Sequence, residues 1–298
     1  MNTQKHSFQE WLLATRPWSF PASAMPVLVS LFYLFWKGYE IHWGFGVWAL
    51  LNIMVFHASG NTWSDYFDYR KGVDAADTYG NRTLTDGQFQ PRQIRNLALG
   101  LLAVASVFGL TLILLTGWPL LYIGIGGLVC TLLYPPLKYR ALGDVVIFLA
   151  YSFLPTIGTS YVATGGIDWS LWIIGVPVGL ITVSILHANN VRDIPTDARA
   201  HIKTFAMLAG GGFSRALYCL EVLLPFVCLF VCVSMGLLPP FALLPLMVFF
   251  MAYRACRAML QFPKKGPQSI ADLDQQSAQL QLFFSLLLTA GFVLDGLW

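Results

Sequence analysis

The sequence predicts an all-α membrane protein with nine transmembrane helices. Of its 298 residues, 56% are hydrophobic and only 11% are charged, whereas a soluble domain carries roughly 25% charged residues. The mean hydropathy is +0.62. Apolar runs of about 20 residues, each long enough to cross a bilayer, recur along the chain. No segment between them is long enough for a soluble domain, so we expect residues 1–298 to form a single polytopic domain.

Breaks in the apolar pattern set the limits of each span. Short Gly, Pro or polar breaks, such as TGWP and GLLPP, separate most neighbouring spans. Longer polar segments at 65–93, 191–214 and 261–278 connect the others. The predicted spans, in chain order, are 19–36, 44–64, 94–115, 119–137, 142–163, 170–190, 215–236, 239–260 and 279–297.

The basic residues predict the orientation. With these spans, 17 of the 18 Lys and Arg residues fall on one side of the membrane, and only Lys37 falls on the other. Cytoplasmic loops carry an excess of Lys and Arg, so this side is predicted to be cytoplasmic, with the N-terminus inside and Trp298 outside. We therefore expect a multi-pass protein of the plasma (inner) membrane. The basic residues are dispersed along the chain, which argues against a nucleic-acid partner.

Two polar clusters, at the ends of the second and sixth spans, have a similar order and spacing of residues. The first reads HASGNTWSDYFD and the second HANNVRDIPTD. Each has a His, then an Asn, then an Asp four residues after that Asn, and a second Asp three or four residues later. Four spans separate the copies, so both emerge on the same side and can face each other across one cavity. The clusters consist of Asn61, Asp65 and Asp68, and of Asn189, Asp193 and Asp197.

Such clusters predict a metal and a diphosphate. Residues three or four apart share a helix face, and like charges repel at that spacing. Burying charge near a membrane is also costly, so something must neutralise the carboxylates. Magnesium prefers oxygen ligands and is commonly held by one or two carboxylates plus substrate phosphates. Facing clusters therefore suggest two Mg²⁺ ions that bridge a diphosphate.

Basic residues on the same side would complete a diphosphate site. Arginine grips phosphate oxygens with two parallel hydrogen bonds, while lysine acts as a point charge. The candidates are Arg82, Lys138, Arg140, Arg192 and Lys203.

The motifs resemble those of the UbiA intramembrane prenyltransferase family. NTWSDYFDYRKGVD at 61–74 resembles its first aspartate-rich motif, and RTLTDG at 82–87 resembles the segment that follows. YPPLKYR at 134–140 is similar to its fourth-helix loop, and NNVRDIPTD at 189–197 to its second motif. The likeness covers most of the chain, in order and at family spacing.

The resemblance implies nine helices around a central cavity that opens to lipid. The wording DYFDYRKGVD and NNVRD is most similar to the MenA branch, which acts on 1,4-dihydroxy-2-naphthoate in menaquinone formation. The expected reaction joins a polyprenyl group from its diphosphate to that ring, with loss of carbon dioxide and diphosphate, to give demethylmenaquinol. Another aromatic acceptor, such as 4-hydroxybenzoate, is the alternative within the family.

The resemblance also implies the residue roles. Lewis-acid metal ions would promote loss of the diphosphate. Asp65, Asp68, Asp193 and Asp197 would be catalytic by holding Mg²⁺, with Asn61, Asn189 and Asp74 as further ligands. Asn61 and Asn189 would also orient substrate, Arg82, Lys138, Arg140, Arg192 and Lys203 would bind the diphosphate, and Arg16 is the candidate partner of the acceptor carboxylate.

Two positions depart from the family pattern. Ser64 stands where Asn often precedes the first aspartate, and its hydroxyl can still accept a hydrogen bond. Ile202 stands where a lysine is usual, so Lys203 is the candidate to supply that charge.

A cation-coupled secondary transporter is the alternative from another class. Transporter sites normally lie near the midplane on broken helices, whereas these acidic residues lie at span ends beside basic loops. A lipid-linked phosphotransferase would also use aspartates and magnesium, but the sequence has no D-G-x-x-A-R run.

Overall fold

The computed structural model describes residues 5–76, 78–80 and 82–297. Within these residues the chain is helical, and its only β-type contact is an isolated bridge between Arg140 and Lys203. Many of the helices begin at a proline, whose fixed φ suits the first turn. The α-helices are α1 (Phe8–Ala14), α2 (Pro21–Trp36), α3 (Trp43–Lys71), α4 (Pro91–Thr116), α5 (Pro119–Lys138), α6 (Gly143–Phe148), α7 (Leu154–Thr164), α8 (Trp172–Arg192), α9 (Ile194–Arg199), α10 (Phe205–Ala209), α11 (Gly211–Ser234), α12 (Phe249–Lys265) and α13 (Leu273–Gly296).

Eight helical segments of the described chain are long and apolar enough to cross a membrane. The predicted all-α, multi-pass membrane architecture is therefore confirmed. These segments are Pro17–Trp36, Pro91–Thr116, Pro119–Lys138, Gly143–Thr164, Trp169–Arg192, Gly211–Ser234, Pro240–Lys265 and Pro267–Gly296.

The remaining predicted span, 44–64, forms part of α3, a single helix of 29 residues. At about 1.5 Å per residue this helix exceeds the roughly 30 Å of bilayer hydrocarbon. It is less apolar than the others because its second half carries the first polar cluster. It continues past the predicted end and stops at Gly72, whose φ of 76° is a conformation that glycine adopts without strain.

The fifth predicted span, 142–163, is not a continuous α-helix. A π-helical turn at Leu149–Phe153 separates α6 from α7, which has Pro155 in its first turn. Proline has no N–H to donate along a helix, and an irregular turn before it absorbs the mismatch. Ser152 in this turn donates to the carbonyl oxygen of Gly175 at 2.7 Å. The irregular turn is thereby fixed to α8.

The helices pack by close side-chain contact. Helix α13 lies against α2, α8 and the 3₁₀ segment Pro240–Val248. A Cβ at Gly291 would collide with the backbone of Phe241, so a glycine is needed where α13 meets that segment. Tyr33 and Phe292 pack edge to face, with ring centroids 5.5 Å apart. Such packing holds helices together where lipid tails remove the hydrophobic drive for association.

Polar contacts distinguish the two ends of the bundle. At one end, Nε1 of Trp36 donates to Asp295 at 2.9 Å, and Nζ of Lys37 lies 3.0 Å from Asp168. These contacts bring together the ends of α2 and α13 and the residue just before the segment Trp169–Arg192. The predicted spans also place these three points on one side of the membrane. The aspartate motifs lie at the opposite end.

Candidate active site

The first motif lies in the last turns of α3. Asn61, Asp65 and Asp68 all belong to this helix, so the predicted common stripe forms. Asp65 and Asp68 are only 4% and 5% exposed. Two carboxylates are thus buried one turn apart, which makes their counter-charges the decisive feature of the site.

The second motif crosses a helix boundary without losing the helical spacing. Helix α8 ends at Arg192, and α9 begins directly after Asp193. The N–H of Asp193 donates to the carbonyl oxygen of Asn189 at 2.8 Å, and the N–H of Asp197 donates to that of Asp193 at 2.8 Å. These three residues therefore still follow one another at intervals of one helical turn.

The two motifs are within electrostatic reach of each other. Burial, helped by the carboxylates of Asp193 and Asp68 and opposed by the cations of Lys138 and Arg192, raises the pKa of Asp197 to about 7. Asp68 belongs to the first motif and Asp197 to the second, so this is an interaction between the two clusters. Asp197 of the second motif is thus close enough to Asp68 of the first for their charges to interact.

Asp74 lies in the same electrostatic environment. Burial, together with the carboxylates of Asp68 and Asp65, raises its pKa to about 7, against the cations of Arg16 and Lys138. Its backbone N–H donates to the carbonyl oxygen of Asp68 at 3.3 Å. This loop residue therefore joins the first cluster, as the sequence predicted.

Basic side chains from other elements neutralise the first motif. Arg16 forms an ion pair with Asp65. Nζ of Lys138, at the end of α5, donates to Oδ2 of Asp68 at 2.9 Å. The hydroxyl of Tyr139 donates to Oδ1 of Asp68 at 2.8 Å. Burial and the Asp68 carboxylate raise the pKa of Tyr139, which keeps this hydroxyl protonated as a donor.

Arg192 neutralises the second motif. Its guanidinium makes two hydrogen bonds to Asp193, at 2.8 and 2.9 Å, the bidentate geometry that holds a carboxylate most firmly. Its third donor reaches the carbonyl oxygen of Ala271 at 2.8 Å. The guanidinium also lies 4.8 Å from the ring centroid of Tyr79. Arg192 therefore links α8 to the segment before α13.

The structure adds counter-charges from the chain itself to the metal that the sequence predicted for the clusters. In the residues it describes, no three His, Cys, Asp or Glu side chains are grouped so as to hold a metal ion. Arg16, Lys138 and Arg192 supply the counter-charge instead, because a buried carboxylate is costly when unpaired. The sequence had assigned Lys138 and Arg192 to a diphosphate.

The donor chemistry nevertheless suits a hard cation. Oδ1 of Asn189 is buried and has no hydrogen-bond partner among the described residues, which is costly in apolar surroundings. Asp74 and Asp197 stand beside other carboxylates with raised pKa values. All of these donors are oxygens, as Mg²⁺ prefers. The donor types therefore fit Mg²⁺. In the structure, Arg16, Lys138 and Arg192 supply the positive charge that a bound Mg²⁺ would otherwise supply to the aspartates.

Three predicted diphosphate ligands are placed elsewhere. Arg82 is exposed and pairs with Asp86 of its own loop at 2.7 Å. Arg140 and Lys203 form the isolated backbone bridge, in which the N–H of Lys203 donates to the carbonyl oxygen of Tyr139 at 3.1 Å. Both side chains are exposed. None of these three side chains is paired with a motif aspartate among the ion pairs of the described residues, and their role as diphosphate ligands stays a prediction.

Ile202, at the position where a lysine was expected, has a packing role. Its side chain is 2% exposed and forms a small hydrophobic cluster with Val73 and Ala200, against which Tyr139 packs. These residues come from three loops around the aspartates. Ile202 thus helps to hold the loops together. A buried apolar position of this kind would not suit the lysine expected there.

Three non-glycine residues around the site have left-handed backbones. They are Arg16, Ala141 and His201, with φ values of 57°, 64° and 55°. Each lies in a loop next to one of the contacts described above. Such conformations cost of order 1 kcal/mol or more each and persist where the surrounding structure enforces them. The loops therefore hold strained shapes at the aspartate end.

The amide of Asn61 anchors the N-terminal segment. Its Nδ2 donates to the carbonyl oxygen of Thr15 at 3.0 Å and to Oγ of Ser19 at 2.9 Å. One turn earlier, Nδ1 of His57 lies 2.9 Å from Oγ of Ser23. These contacts position Arg16 over Asp65.

An apolar cavity begins beside this segment. It has a volume of about 340 Å³ and is lined by α3, α4, α5 and the region from Ala150 to Val162. His57 is at its aspartate side, and Asn52 lies further along α3. The remaining lining is mostly apolar, with Ile113 and Leu128 as examples. A hydrocarbon chain fits such a space.

The sequence analysis missed several partners of the motifs. Tyr139 was overlooked although it adjoins Lys138. Asp144 accepts a hydrogen bond from Nδ2 of Asn190 at 3.0 Å. His187, one turn before the motif, lies 2.9 Å from Glu221. Asp144, His187, Asn190 and Glu221 thus form a second polar network next to the second motif. The sequence signal for it was the presence of His and acidic residues at membrane depth.

Comparisons with known proteins place this membrane bundle in a defined class. The chain matches the UbiA prenyltransferase family over residues 23–293. It is 31% identical to UbiA prenyltransferase domain-containing protein 1 of Xenopus tropicalis, across 97% of this chain and 83% of that relative. The protein is a multi-pass membrane protein and belongs to the UbiA prenyltransferase family.

Solved structures share its fold. A UbiA homolog from Aeropyrum pernix K1, in its apo form, superposes with a TM-score of 0.64 at 14% identity, covering 94% of this chain and 97% of that one. A UbiA homolog from Archaeoglobus fulgidus bound to GPP and Mg²⁺ gives a TM-score of 0.58 at 12% identity, with coverages of 94% and 99%. The resemblance inferred from the motifs is confirmed at the level of family and fold.

Proposed function

We propose that the protein transfers a polyprenyl group from a polyprenyl diphosphate to 1,4-dihydroxy-2-naphthoate, with release of diphosphate and carbon dioxide. The observation that carries the proposal is the pair of aspartate motifs, with their buried cations, at one end of a membrane bundle that also encloses an apolar cavity. A substrate with a charged head and a long hydrocarbon tail requires this combination.

The charged residues around the first aspartate motif suit the diphosphate. Lys138 and Arg16 are held over the aspartates by ion pairs and not by bonds to backbone carbonyls. They can therefore turn to phosphate oxygens when these arrive. The hydroxyl of Tyr139 remains as a donor to Asp68. In this scheme the chain's own cations exchange a carboxylate partner for a phosphate partner.

Magnesium is the proposed cofactor. A family member from Archaeoglobus fulgidus was solved with GPP and Mg²⁺, and the oxygen donors of this chain match that cation in type. Asp65, Asp68, Asp193 and Asp197 would hold it, with Asn61, Asn189 and Asp74 as further oxygen donors. Bound Mg²⁺ would act as a Lewis acid on the leaving diphosphate.

The naphthoate acceptor is proposed from the wording of DYFDYRKGVD and NNVRD. In the reaction, the bond between the prenyl C1 and the diphosphate oxygen breaks, and C1 joins the ring carbon that carries the carboxylate. Loss of carbon dioxide from that carbon then restores the aromatic ring. The carboxylate leaves in place of a proton, so this route needs no general base.

The cytoplasmic face of the plasma (inner) membrane is the proposed location of the site. The distribution of Lys and Arg supports this orientation, because all but Lys37 fall on the aspartate side under the predicted topology.

Turnover of purified protein in liposomes tests the proposal. Farnesyl or geranyl diphosphate is supplied with 1,4-dihydroxy-2-naphthoate or with 4-hydroxybenzoate, each with and without Mg²⁺. We expect Mg²⁺-dependent prenylation of the naphthoate and one carbon dioxide per product. Product from the benzoate alone would overturn the acceptor, and no product from either would overturn the proposed activity.

A further inference from the structure

A groove on the lipid-facing surface lies between α11 and α12, in a part of the molecule that the proposed reaction does not use. It has a volume of about 430 Å³. Its α11 wall is formed by Cys219 and Leu223. Its α12 wall is formed by Tyr253, Cys256, Arg257, Leu260, Gln261 and Lys264.

The α12 wall is one continuous helix face. Most of its members are separated by three or four residues, or by seven or eight, which places them on one side of the helix. Tyr253, Arg257, Leu260 and Lys264 are exposed. From Tyr253 to Lys264 the face runs about 16 Å along the helix axis. The groove is therefore long and narrow, and it is parallel to the helix.

The polarity of the groove changes along this length. Leu223 and Tyr253 lie at one end, and Arg257 and Lys264 lie toward the other. In the described residues, no carboxylate is within ion-pair distance of Arg257 or Lys264. Among the residues that the structure describes, these two cations beside an apolar channel thus form no ion pair.

Helix length places the basic end at the membrane surface. The segment Pro240–Lys265 combines a 3₁₀ stretch with α12 and spans about 43 Å, given the rise of each helix type. The hydrocarbon core is only roughly 30 Å thick. If the segment starts at the opposite boundary, its last two turns reach the headgroups, and Arg257 and Lys264 lie there while Tyr253 stays among the acyl chains.

We propose that this groove binds one anionic phospholipid, with its phosphate on Arg257 and Lys264 and an acyl chain along Tyr253 and Leu223. Basic pockets between membrane helices bind lipid head groups of this charge. Charge complementarity selects the head group, and the apolar end selects a lipid over a free phosphate. The site is independent of the proposed reaction.

Native mass spectrometry of the full protein tests this site. The protein is titrated with phosphatidylglycerol or with phosphatidylcholine of the same acyl chains. We expect preferential retention of phosphatidylglycerol. The double variant Arg257→Gln/Lys264→Gln should bind it about 25-fold more weakly, because each basic side chain near an anionic surface contributes roughly fivefold.

The matched control is the double variant Arg92→Gln/Arg95→Gln. It removes two charges from the start of α4, at the same end of the bundle but outside the groove. Equal binding of the two lipids by the wild type would overturn the proposal. So would unchanged lipid binding in the groove variant, or an equal loss in the control variant.

A readout on the unaltered protein covers the case in which the groove variant does not fold. Cys219 lines the groove and is half-buried. Phosphatidylglycerol should slow its labelling by a maleimide, followed by peptide mass spectrometry, while inorganic phosphate and phosphatidylcholine should not. Equal labelling rates under all three conditions would contradict the site, and protection by inorganic phosphate would show that the lipid is not the occupant.

Discussion

Nζ of Lys138 donates to Oδ2 of Asp68 at 2.9 Å, which joins the end of α5 to the first aspartate motif. The contact lies at the aspartate end of the bundle, and both side chains are largely buried. A lysine expected to bind substrate is thus also the counter-ion of a proposed metal ligand.

Replacing Lys138 with Gln should destabilise the metal-free protein by roughly 2 to 4 kcal/mol. A buried carboxylate that loses its cation is left uncompensated, although Tyr139 and Ser64 still donate to Asp68. Thermal unfolding in detergent measures the change. The control is Arg140→Gln, which removes a neighbouring exposed charge. In the double variant with Asp68→Asn, most of the lost stability should return.

Exchange of ion-pair partners predicts that Mg²⁺ and diphosphate bind cooperatively. Each ligand alone leaves one set of charges unpaired in a buried site, while together they satisfy both sets. Titration of Mn²⁺ followed by electron paramagnetic resonance, with and without a non-reactive prenyl diphosphate analogue, measures the coupling.

Arg16→Gln should make metal binding stronger in the absence of diphosphate, because it removes the competing cation from Asp65. Arg82→Gln, which removes an exposed arginine paired with Asp86, is the matched control. Weaker metal binding in Arg16→Gln than in the control would contradict the exchange.

Asp65→Asn and Asp193→Asn should each lower turnover by at least about 10²-fold, the loss typical of removing one group that stabilises developing charge. The amide keeps the size of the side chain, so the fold should persist. Turnover and circular dichroism are measured together. Asp86→Asn, in the exposed loop pair, should retain activity. Near-normal activity in either motif variant would rule out the proposed ligand role.

Gly127→Leu should restrict the protein to shorter prenyl diphosphates. Gly127 lines the cavity, and a Cβ there would meet no atom within 4 Å, so a larger side chain fills cavity space without displacing a neighbour. Gly100→Leu is the control, because Gly100 on α4 is equally open but does not line the cavity. Both changes also favour the helix by up to about 1 kcal/mol.

Kinetics with geranyl, farnesyl and geranylgeranyl diphosphate distinguish the two glycine variants. We expect the ratio of kcat/KM for the longest to the shortest donor to fall in Gly127→Leu and to stay constant in Gly100→Leu. The same ratio in both variants would place the prenyl tail outside this cavity.

The sequence was sufficient to predict the helices and the spacing of Asn61, Asp65 and Asp68, because both follow from patterns within a single helix. It did not predict that Arg16 would lie over Asp65. That contact joins residues 49 positions apart and depends on a left-handed turn that has no periodic signal. The environment of Ile202 was missed for the same reason, since its neighbours come from separate loops.

The partners of the basic residues were not predicted either, for a related reason. The sequence identified the basic residues on the aspartate side but not their partners. Arg82 pairs within its own loop at a spacing of four residues, a short-range interaction that was available from the sequence. The pairing of Arg192 with Asp193 was also local, yet its contact with Ala271 depends on how α8 meets the start of α13.

The polar second half of α3 has a consequence for how the protein is made. In the part of the chain that the structure describes, the other long helices meet a simple threshold for entering a bilayer, whereas α3 does not. The polar side chains in the second half of α3, among them Asn61, Asp65 and Asp68, lower the hydropathy of this segment. During synthesis, the segment that carries the first aspartate motif would therefore depend on its neighbours to enter the membrane. Helix α4, which packs along α3, emerges next from the ribosome and is the natural partner for its integration.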